Sequence, residues 1–404
     1  MSVYKKIPGK EPIKISNKGN VAEEYVNTLS ETAYLKYWCY PNPIDISGNK
    51  KEICDLLILF FDTAIIISVK NYDLKGDYER YKRRVIEKSS KQLFGAERKL
   101  FNSQKPLDIS HPEKGVETFN PIEYKNVFRI TVSVGEDFEN YEFVDSKEGK
   151  GSVNIFNKET FEIITEELDT IKDLVEYLKA REDLLITNSG KKCNCTEKDL
   201  LGHFLMNQRT FDENIKKDFE KATLELVGKW NEYINNRSVI LKKLADENSY
   251  FIDKIVENDV LPIENGVLLA KELMSLSRFE RRIMANKLFY IVKKYENQKN
   301  TLARLFLKYN HIGFLFVYYP EKKPEKEVDF IMNKAPELYA HKHNTKKIVV
   351  LGATDGLKQW KFGLYLASDL NETQKKQLDQ IADKAGWFKR EIKTKENIKE
   401  YPNE

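Results

Sequence analysis

The sequence feature that most constrains the fold is an apolar hairpin, EICDLLILFFDTAIIISVKNYD, which spans residues 52–73. Two runs of aliphatic residues flank Asp62-Thr63, and short apolar runs on either side of a turn predict strands that are covered on both faces. Each run also carries a charged residue at its outer end, Asp55 in the first strand and Lys70 in the second. The hairpin therefore predicts a central sheet with an acid and a lysine at one end.

A two-residue turn at Asp62-Thr63 pairs Asp55 with Lys70, whose Cβ atoms then lie roughly 5 Å apart. Ser68 precedes Lys70 by two residues and projects from the same face of the sheet. A buried acid and a buried lysine each cost several kcal/mol of free energy unless they are paired or bind a metal. The pair is either a structural salt bridge or part of a phosphodiester-cleaving site, in which carboxylates hold Mg²⁺ and the lysine stabilises the developing phosphate charge.

The length of 404 residues predicts more than one domain, since single cores rarely grow so large. Basic and acidic residues number 67 and 63, and this near balance does not identify a nucleic-acid-binding protein. No apolar stretch reaches the roughly 18–20 residues of a membrane span, and the first residues lack the apolar core of a signal peptide. With four cysteines and no disulfide framework, we expect a cytoplasmic protein without a membrane partner.

The fold class expected from the pattern is α/β, with an N-terminal mixed sheet flanked by helices and a C-terminal helical and α/β region. The expected division is into residues 1–188, a helical region at 189–300 and a small α/β region at 301–404, with the last two either separate or one domain. The pattern predicts helices at 21–38, 76–102, 159–167, 170–181, 325–340 and 372–385, and strands at 39–46, 126–134, 151–156, 313–319, 347–353 and 360–367.

The order of these features resembles the PD-(D/E)xK, or restriction-endonuclease-like, nuclease superfamily. The resemblance covers about residues 15–135: a helix with an early glutamate (GNVAEEYVNTL), a strand that opens on Asp, a tight turn, and a strand that ends in x-x-K. The first helix and the later KSSKQLFGAERKL segment are similar to those of nuclease-related and Holliday-junction-resolvase-like members. The resemblance implies an N-terminal restriction-endonuclease-like sheet and cleavage of nucleic acid with Mg²⁺, or Mn²⁺ in its place.

Carried over by position, the resemblance implies that Asp55 is a metal ligand and that Lys70 is the catalytic lysine. The helix glutamate is Glu23 or Glu24; Glu23 matches better, but both flank the apolar face of the helix. Gln92 matches the accessory polar residue of the later helix, and its alternative is a solvated glutamine.

The chain departs from the family pattern at Ser68, since the family usually has Asp or Glu two residues before the lysine. A serine hydroxyl is a poor Mg²⁺ ligand, so the missing acid has either moved elsewhere or been lost with activity. Glu52, Asp73 and the Glu23/Glu24 pair are the candidates for a displaced acid. Glu52 has the opposite strand parity from Asp55 and needs a bulge to reach the site.

Two basic helical segments complete the set of candidates. The first segment, YERYKRRVIEKSSK, follows the hairpin and is either a phosphate-binding face or an ordinary solvated face. The second, SRFERRIMANKLFYIVKKY at residues 277–295, is predicted to be mainly core and interface because its apolar residues fall at helical spacing. The cations of the first segment are Arg80, Lys82, Arg83, Arg84 and Lys88.

The leading hypothesis is therefore a Mg²⁺-dependent endonuclease that acts on DNA, with RNA as the alternative substrate. By family analogy it functions in prokaryotic antiviral defence, as a homodimer or with a partner subunit. The first rival is an inactive nuclease fold that binds nucleic acid or assembles with other subunits. The second is a structural protein in which the Asp55–Lys70 pair only stabilises the fold.

Overall fold

The computed structural model describes residues 22, 24–28, 36–48, 50–74, 76–103, 106–111, 114–135, 143–147, 151–187, 193–296, 298, 301–309, 311–389 and 398–402. The chain forms two compact units, one within residues 8–240 and one within residues 241–404. This division lies between the two predicted boundaries, after residues 188 and 300, which stay predictions. The predicted mixed α/β class is confirmed.

Ten strands lie in the described residues of the first unit, and five of them coincide with predicted strands. The hairpin between β4 and β5, the short strand β7 and the two-residue strands β9 and β10 are additions to the prediction, while β1 is shorter than the predicted strand at 39–46. The strands are β1 (Cys39–Pro41), β2 (Leu56–Phe60), β3 (Thr63–Lys70), β4 (Leu107–His111), β5 (Gly115–Phe119), β6 (Asn126–Ser133), β7 (Val144–Lys147), β8 (Gly151–Asn157), β9 (Cys193–Asn194) and β10 (Leu224–Glu225).

Six of these strands form one mixed sheet in the order β1-β2-β3-β6-β8-β7. β1, β2 and β3 are antiparallel neighbours, β3 runs parallel to β6, and β6 runs parallel to β8. All five residues of β2 are buried, as are the first seven of β3, which agrees with strands covered on both faces. The β-branched run Ile65–Ile67 suits such a doubly covered central position.

The helix that follows β3 contains a π-helical stretch between two α-helical ones. This segment was predicted as one helix at residues 76–102. Asp77 caps its start, because its side chain accepts a hydrogen bond from the Arg80 N–H at 3.0 Å. The three parts are α1 (Tyr78–Tyr81), the π-helix (Lys82–Glu87) and α2 (Lys88–Phe101).

Helix α2 covers one face of the hairpin. Leu57 and Leu59 of β2 and Ala64 and Ile66 of β3 belong to the same buried cluster as Leu93 of α2. These residues identify the face of the sheet that α2 covers. Odd-numbered positions of β2 and even-numbered positions of β3 point toward α2. Asp55, Ser68 and Lys70 continue these two series.

Most of the remaining elements of the first unit are helices, and further helices follow in the second unit. Side-chain caps define several starts, such as Asn157 on the N–H of Thr160 and Thr196 in a capping box with Asp199. The helices are α3 (Lys158–Glu167), α4 (Ile171–Thr187), α5 (Glu197–Met206), α6 (Glu213–Lys221), α7 (Lys229–Ile234), α8 (Arg237–Asp246), α9 (Tyr250–Ile255), α10 (Gly266–Met274), α11 (Arg278–Tyr295), α12 (Glu325–His343) and α13 (Glu372–Lys384).

The second unit contains a four-stranded sheet in the order β11-β12-β13-β14. Its two central strands run parallel, and both outer strands are antiparallel to their neighbours. Leu315, Val317, Ile348 and Val350 pack in one cluster with residues of α12 and α13. The strands are β11 (Ala303–Tyr309), β12 (Ile312–Tyr318), β13 (Lys347–Ala353) and β14 (Trp360–Leu366).

Helix α11 carries the second basic segment, and the prediction that it contributes to the core is confirmed. Arg278, Arg281 and Arg282 are all buried. Arg278 and Arg281 each donate to a separate carboxylate oxygen of Asp253, at 2.7 and 2.5 Å. The three buried arginines of this helix therefore serve internal ion pairs. Among the described residues, no helix is both long and apolar enough to cross a membrane.

Candidate active site

The hairpin turn lies at Phe61-Asp62, so the predicted turn at Asp62-Thr63 is wrong. Phe61 adopts a left-handed backbone conformation with φ 49°, which is rare for a bulky residue. The carbonyl of Asp62 accepts hydrogen bonds from the N–H groups of Lys125 and Asn126, at 2.8 and 2.9 Å. These contacts hold Asp62 in the turn and leave Thr63 free to pair with Phe60.

The predicted pairing of Asp55 with Lys70 is therefore displaced by two residues. β2 and β3 pair Leu56 with Ile67, which puts Asp55, the residue before β2, level with Ser68. The N–H of Asn42 donates to the Asp55 carbonyl at 2.9 Å and fixes the backbone there. Asp55 and Lys70 still meet because a lysine side chain is long enough to reach back by two residues.

Asp55 Oδ2 is the centre of the site. It accepts hydrogen bonds from the Ser68 hydroxyl at 3.0 Å and from the Val69 N–H at 2.5 Å, and Lys70 Nζ lies 3.6 Å away. The Asp55 and Lys70 side chains are 30% and 19% exposed, whereas Ser68 is buried. The other carboxylate oxygen, Oδ1, accepts no hydrogen bond from the described residues and is available to a ligand.

Two hydroxyl pairs attach the following helix to the strand ends beside the site. Ser68 and Lys70 of β3 pair with Thr131 and Ser133 of β6, and the Thr131 and Ser89 hydroxyls are hydrogen-bonded at 2.7 Å. In the same way, a helix tyrosine, Tyr81, donates to Ser133 at 2.9 Å. Burial raises the pKa of Tyr81, and the hydrogen bond with Ser133 opposes that rise. Sequence reasoning missed these pairs, although alternating hydroxyls in the apolar strand FRITVS are their signal.

A cavity of about 390 Å³ opens beside Lys70. Its lining unites residues that were predicted separately: the hairpin lysine, the helix glutamine and two helix cations. The Arg84 guanidinium carbon lies 5.5 Å from the centre of the Tyr72 ring. The lining residues are Lys70, Asn71, Tyr72, Arg84, Lys88 and Gln92.

The backbone near Tyr72 depends on Gly135, which follows the end of β6. A Cβ atom at Gly135 would lie 2.4 Å from the Tyr72 carbonyl oxygen. The N–H of Val134 also donates to the Lys70 carbonyl at 2.9 Å. Close packing of these two strand ends therefore sets the direction in which residues 71–74 leave the sheet.

The three other cations predicted to bind nucleic acid do not line this cavity. The Arg83 side chain donates to the Glu79 carbonyl at 3.3 Å, Arg80 is exposed and Lys82 is partly buried. Residues four apart share one face of a helix, so Arg84, Lys88 and Gln92 form one row along the cavity. Lys82 and Arg83 fall outside that row, and Arg80 lies four residues before its first member.

The acids proposed as further metal ligands are placed differently. Glu23 lies outside the described residues. Glu24 is half-buried in the helical residues 24–28, where its carbonyl accepts a hydrogen bond from the Thr28 hydroxyl at 2.8 Å. Glu52 is exposed and forms an isolated antiparallel bridge with Ile44. Within the described part of the chain, no three His, Cys, Asp or Glu side chains are grouped to hold a metal.

The donors at this site fit a cation that arrives together with a phosphate. Mg²⁺ usually keeps several waters and binds proteins through one or two carboxylates plus substrate phosphate oxygens. Asp55 Oδ1 supplies one such carboxylate oxygen, and Asn71 adds an amide to the cavity lining. A resident ion held by protein groups alone would need more carboxylates than the described residues bring together.

Comparison with known proteins leaves the site to be interpreted from its own geometry. No family model matches the chain, and neither curated proteins nor solved structures gave a significant match.

Proposed function

We propose that the chain is a metal-dependent nuclease that hydrolyses phosphodiester bonds, with DNA preferred over RNA. The observation that carries the proposal is the joining of Asp55, Ser68 and Lys70 at one end of the hairpin, where Lys70 also lines a cavity that contains further cations. The order of described elements also supports the resemblance: helical residues 24–28, an acid before β2, a tight turn, and β3 ending in Lys70.

The residues of the site suit a phosphate in the cavity. Lys70 Nζ donates to a phosphate oxygen and offsets the negative charge that develops there during hydrolysis. Asp55 Oδ2 holds this ammonium in place through their 3.6 Å contact. Arg84 and Lys88 bind the backbone on one side of the scissile phosphate, and Gln92 donates a neutral hydrogen bond.

Asp55 Oδ1 would hold the Mg²⁺ or Mn²⁺ ion. When bound, such an ion polarises a phosphoryl oxygen and lowers the pKa of its bound water. In the hydrolysis, a bond forms between a water oxygen and phosphorus, and the bond from phosphorus to one sugar oxygen breaks. The same proposal places the protein in the cytoplasm of a prokaryote, in antiviral defence, as a homodimer or with a partner subunit.

The test is cleavage of plasmid and labelled DNA with Mg²⁺ or Mn²⁺. Asp55→Asn and Lys70→Ala should each reduce the cleavage rate by at least about 100-fold, and chelation should abolish cleavage. Asp183→Asn and Lys91→Ala are matched controls, since both side chains are exposed and neither lines the cavity. Cleavage that is absent from the parent protein with either ion, or unchanged in both site variants, would refute the proposal.

One observation favours a second function, a nucleic-acid-binding subunit without activity. Asp55 Oδ2 is already engaged by three donors, and Ser68 stands where the family pattern has an acid. A site with one available carboxylate oxygen can bind phosphate through its cations without cleaving it. DNA binding that Lys70→Ala weakens, together with no cleavage at any metal concentration, would support this second function.

A further inference from the structure

The aromatic side chain in the cavity lining, Tyr72, bears on whether the cavity accepts paired or unpaired nucleic acid. Tyr72 is half-buried and lines the cavity next to the row formed by Arg84, Lys88 and Gln92. Its ring centre lies 6.4 Å from that of Tyr81, whose hydroxyl is tied to Ser133. The Tyr72 ring therefore lies near a side chain that is itself fixed to the sheet.

The charge of the lining selects an anion. Three of the six lining residues are cations, Lys70, Arg84 and Lys88, and none is acidic. The Arg84 guanidinium lies over the Tyr72 ring, and both a tyrosine ring and a guanidinium plane stack on nucleobases. The cavity thus combines phosphate-binding groups with a surface for one base.

The size of the cavity limits what can enter. A volume of about 390 Å³ is near the lower end of the roughly 300–1,000 Å³ of small-ligand pockets. A base inside a duplex is already stacked on both faces, so it reaches Tyr72 only after unpairing and unstacking, both of which cost free energy. A base in a single strand is free of most of that cost.

We propose that the cavity binds one unpaired nucleotide, with its base on Tyr72 and Arg84 and its neighbouring phosphate on Lys88, so that single-stranded nucleic acid is the preferred substrate class. This rests on the proposed function, since it places the next phosphate of the strand beside Lys70. It adds a specificity-determining residue, Tyr72, that takes no part in the phosphate chemistry.

The test measures binding in EDTA, so that no cleavage occurs. The probes are a labelled single-stranded oligonucleotide of about twelve nucleotides and a blunt hairpin duplex of similar length. The parent protein should bind the single strand about tenfold more tightly. Tyr72→Leu should weaken that binding by about tenfold, whereas Tyr72→Phe, which keeps the ring, should stay within about twofold.

Two matched pairs of variants distinguish binding in the cavity from a general effect of positive surface charge. Arg84→Ala and Lys88→Ala should weaken single-strand binding, while Arg98→Ala and Lys91→Ala remove the same charges from exposed positions of α2 outside the lining and should change it little. Thermal unfolding midpoints within a few degrees of the parent show that each variant is folded.

The outcomes distinguish this inference from the nuclease proposal. No binding by the parent, equal binding of single strand and duplex, or equal binding by Tyr72→Leu and the parent would overturn the inference, even if the protein cleaves DNA with Mg²⁺. Binding of the single strand that depends on Tyr72 would uphold it, even if no metal supports cleavage.

Discussion

Two carboxylate–cation pairs in the first unit differ in almost every physical respect. Arg181 and Glu197 have fully buried side chains and are joined by two hydrogen bonds of 2.8 Å. The Tyr177 hydroxyl donates to Glu197 at 2.6 Å, and Arg181 donates to the Asn154 side-chain oxygen at 2.6 Å and to the Phe143 carbonyl at 2.8 Å. Asp55 and Lys70 instead lie 3.6 Å apart, partly exposed, with one carboxylate oxygen available. The Arg181–Glu197 pair is saturated, meaning that its charged groups are engaged by other protein atoms, and such a pair stabilises the fold. The Asp55–Lys70 pair is open, meaning that one carboxylate oxygen is left for a ligand, and such a pair beside a cavity can act on that ligand.

The largest expected effect comes from breaking the saturated pair. Glu197→Ala leaves the Arg181 guanidinium buried without its counter-charge, so we expect the free energy of unfolding to fall by about 3–5 kcal/mol. Urea denaturation measures this. Glu159→Ala is the control, because the exposed Glu159–Lys198 pair, 2.9 Å apart, should contribute only about 0–1 kcal/mol. Equal losses in the two variants would contradict the distinction.

A smaller effect tests whether the open site accepts a metal. Ser68→Asp restores the acid of the family pattern within reach of Asp55 Oδ2, and two adjacent carboxylates repel each other. Without metal, we expect a loss of about 1–3 kcal/mol in the free energy of unfolding. Mn²⁺ should raise the unfolding temperature of Ser68→Asp far more than that of the parent, since an ion that binds only the folded state stabilises it.

Ser68→Asn is the control for that experiment, because it adds similar volume without charge. If Mn²⁺ raises the unfolding temperatures of Ser68→Asp and Ser68→Asn by the same amount, the carboxylates at this position do not form a metal site.

The sequence predicted the elements of the hairpin but not their register. Apolar runs predict β2 and β3 directly, whereas the register depends on Phe61 in a left-handed conformation that few sequence rules assign to phenylalanine. Asp55 and Lys70 were nevertheless predicted to meet, because the length of lysine tolerates a two-residue error. The contact between Arg181 and Glu197 was missed, since it joins different helices and no local pattern marks it.

The cavity was predicted only in part, for a similar reason. Lys70, Gln92, Arg84 and Lys88 were each predicted as site residues from the family resemblance or from local charge. The spacing of Arg84, Lys88 and Gln92 places them on one helix face, but nothing local to the sequence showed that this face meets Lys70 across a cavity. Tyr72 carried no predicted role because a single tyrosine after a strand is an ordinary residue.

The free energy of unfolding should depend on pH through Glu182, which lies beside the saturated pair. Burial raises the pKa of Glu182 above its ordinary 4.5, while a hydrogen bond from Asn154 and the charge of Arg181 lower it less strongly. The folded protein then binds this proton more tightly than the unfolded chain. Stability contributed by Glu182 is therefore greatest below 4.5 and falls as pH rises toward the raised value. Glu182→Gln should remove this dependence, so its stability relative to the parent should increase with pH in urea denaturation.

Asp253→Asn provides a control of opposite sign. Burial raises the pKa of Asp253, but the charges of Arg278 and Arg281 outweigh it, and the net pKa lies below the ordinary 3.8. The stability that this carboxylate contributes is present above 3.8 and is lost as pH falls. A variant series in which Glu182→Gln and Asp253→Asn show the same slope with pH would contradict both assignments.

The smallest expected effect on stability is that of Asp55→Asn. This variant tests directly whether the Asp55–Lys70 pair differs from the Arg181–Glu197 pair. The side chain is 30% exposed, and asparagine keeps an oxygen that accepts from the Ser68 hydroxyl and the Val69 N–H. We therefore expect the free energy of unfolding to change by less than about 1 kcal/mol. Urea denaturation beside Glu197→Ala measures the contrast. A loss as large as that of Glu197→Ala would show that Asp55 is a structural residue like Glu197, because a carboxylate kept for a ligand contributes little to folding when the ligand is absent.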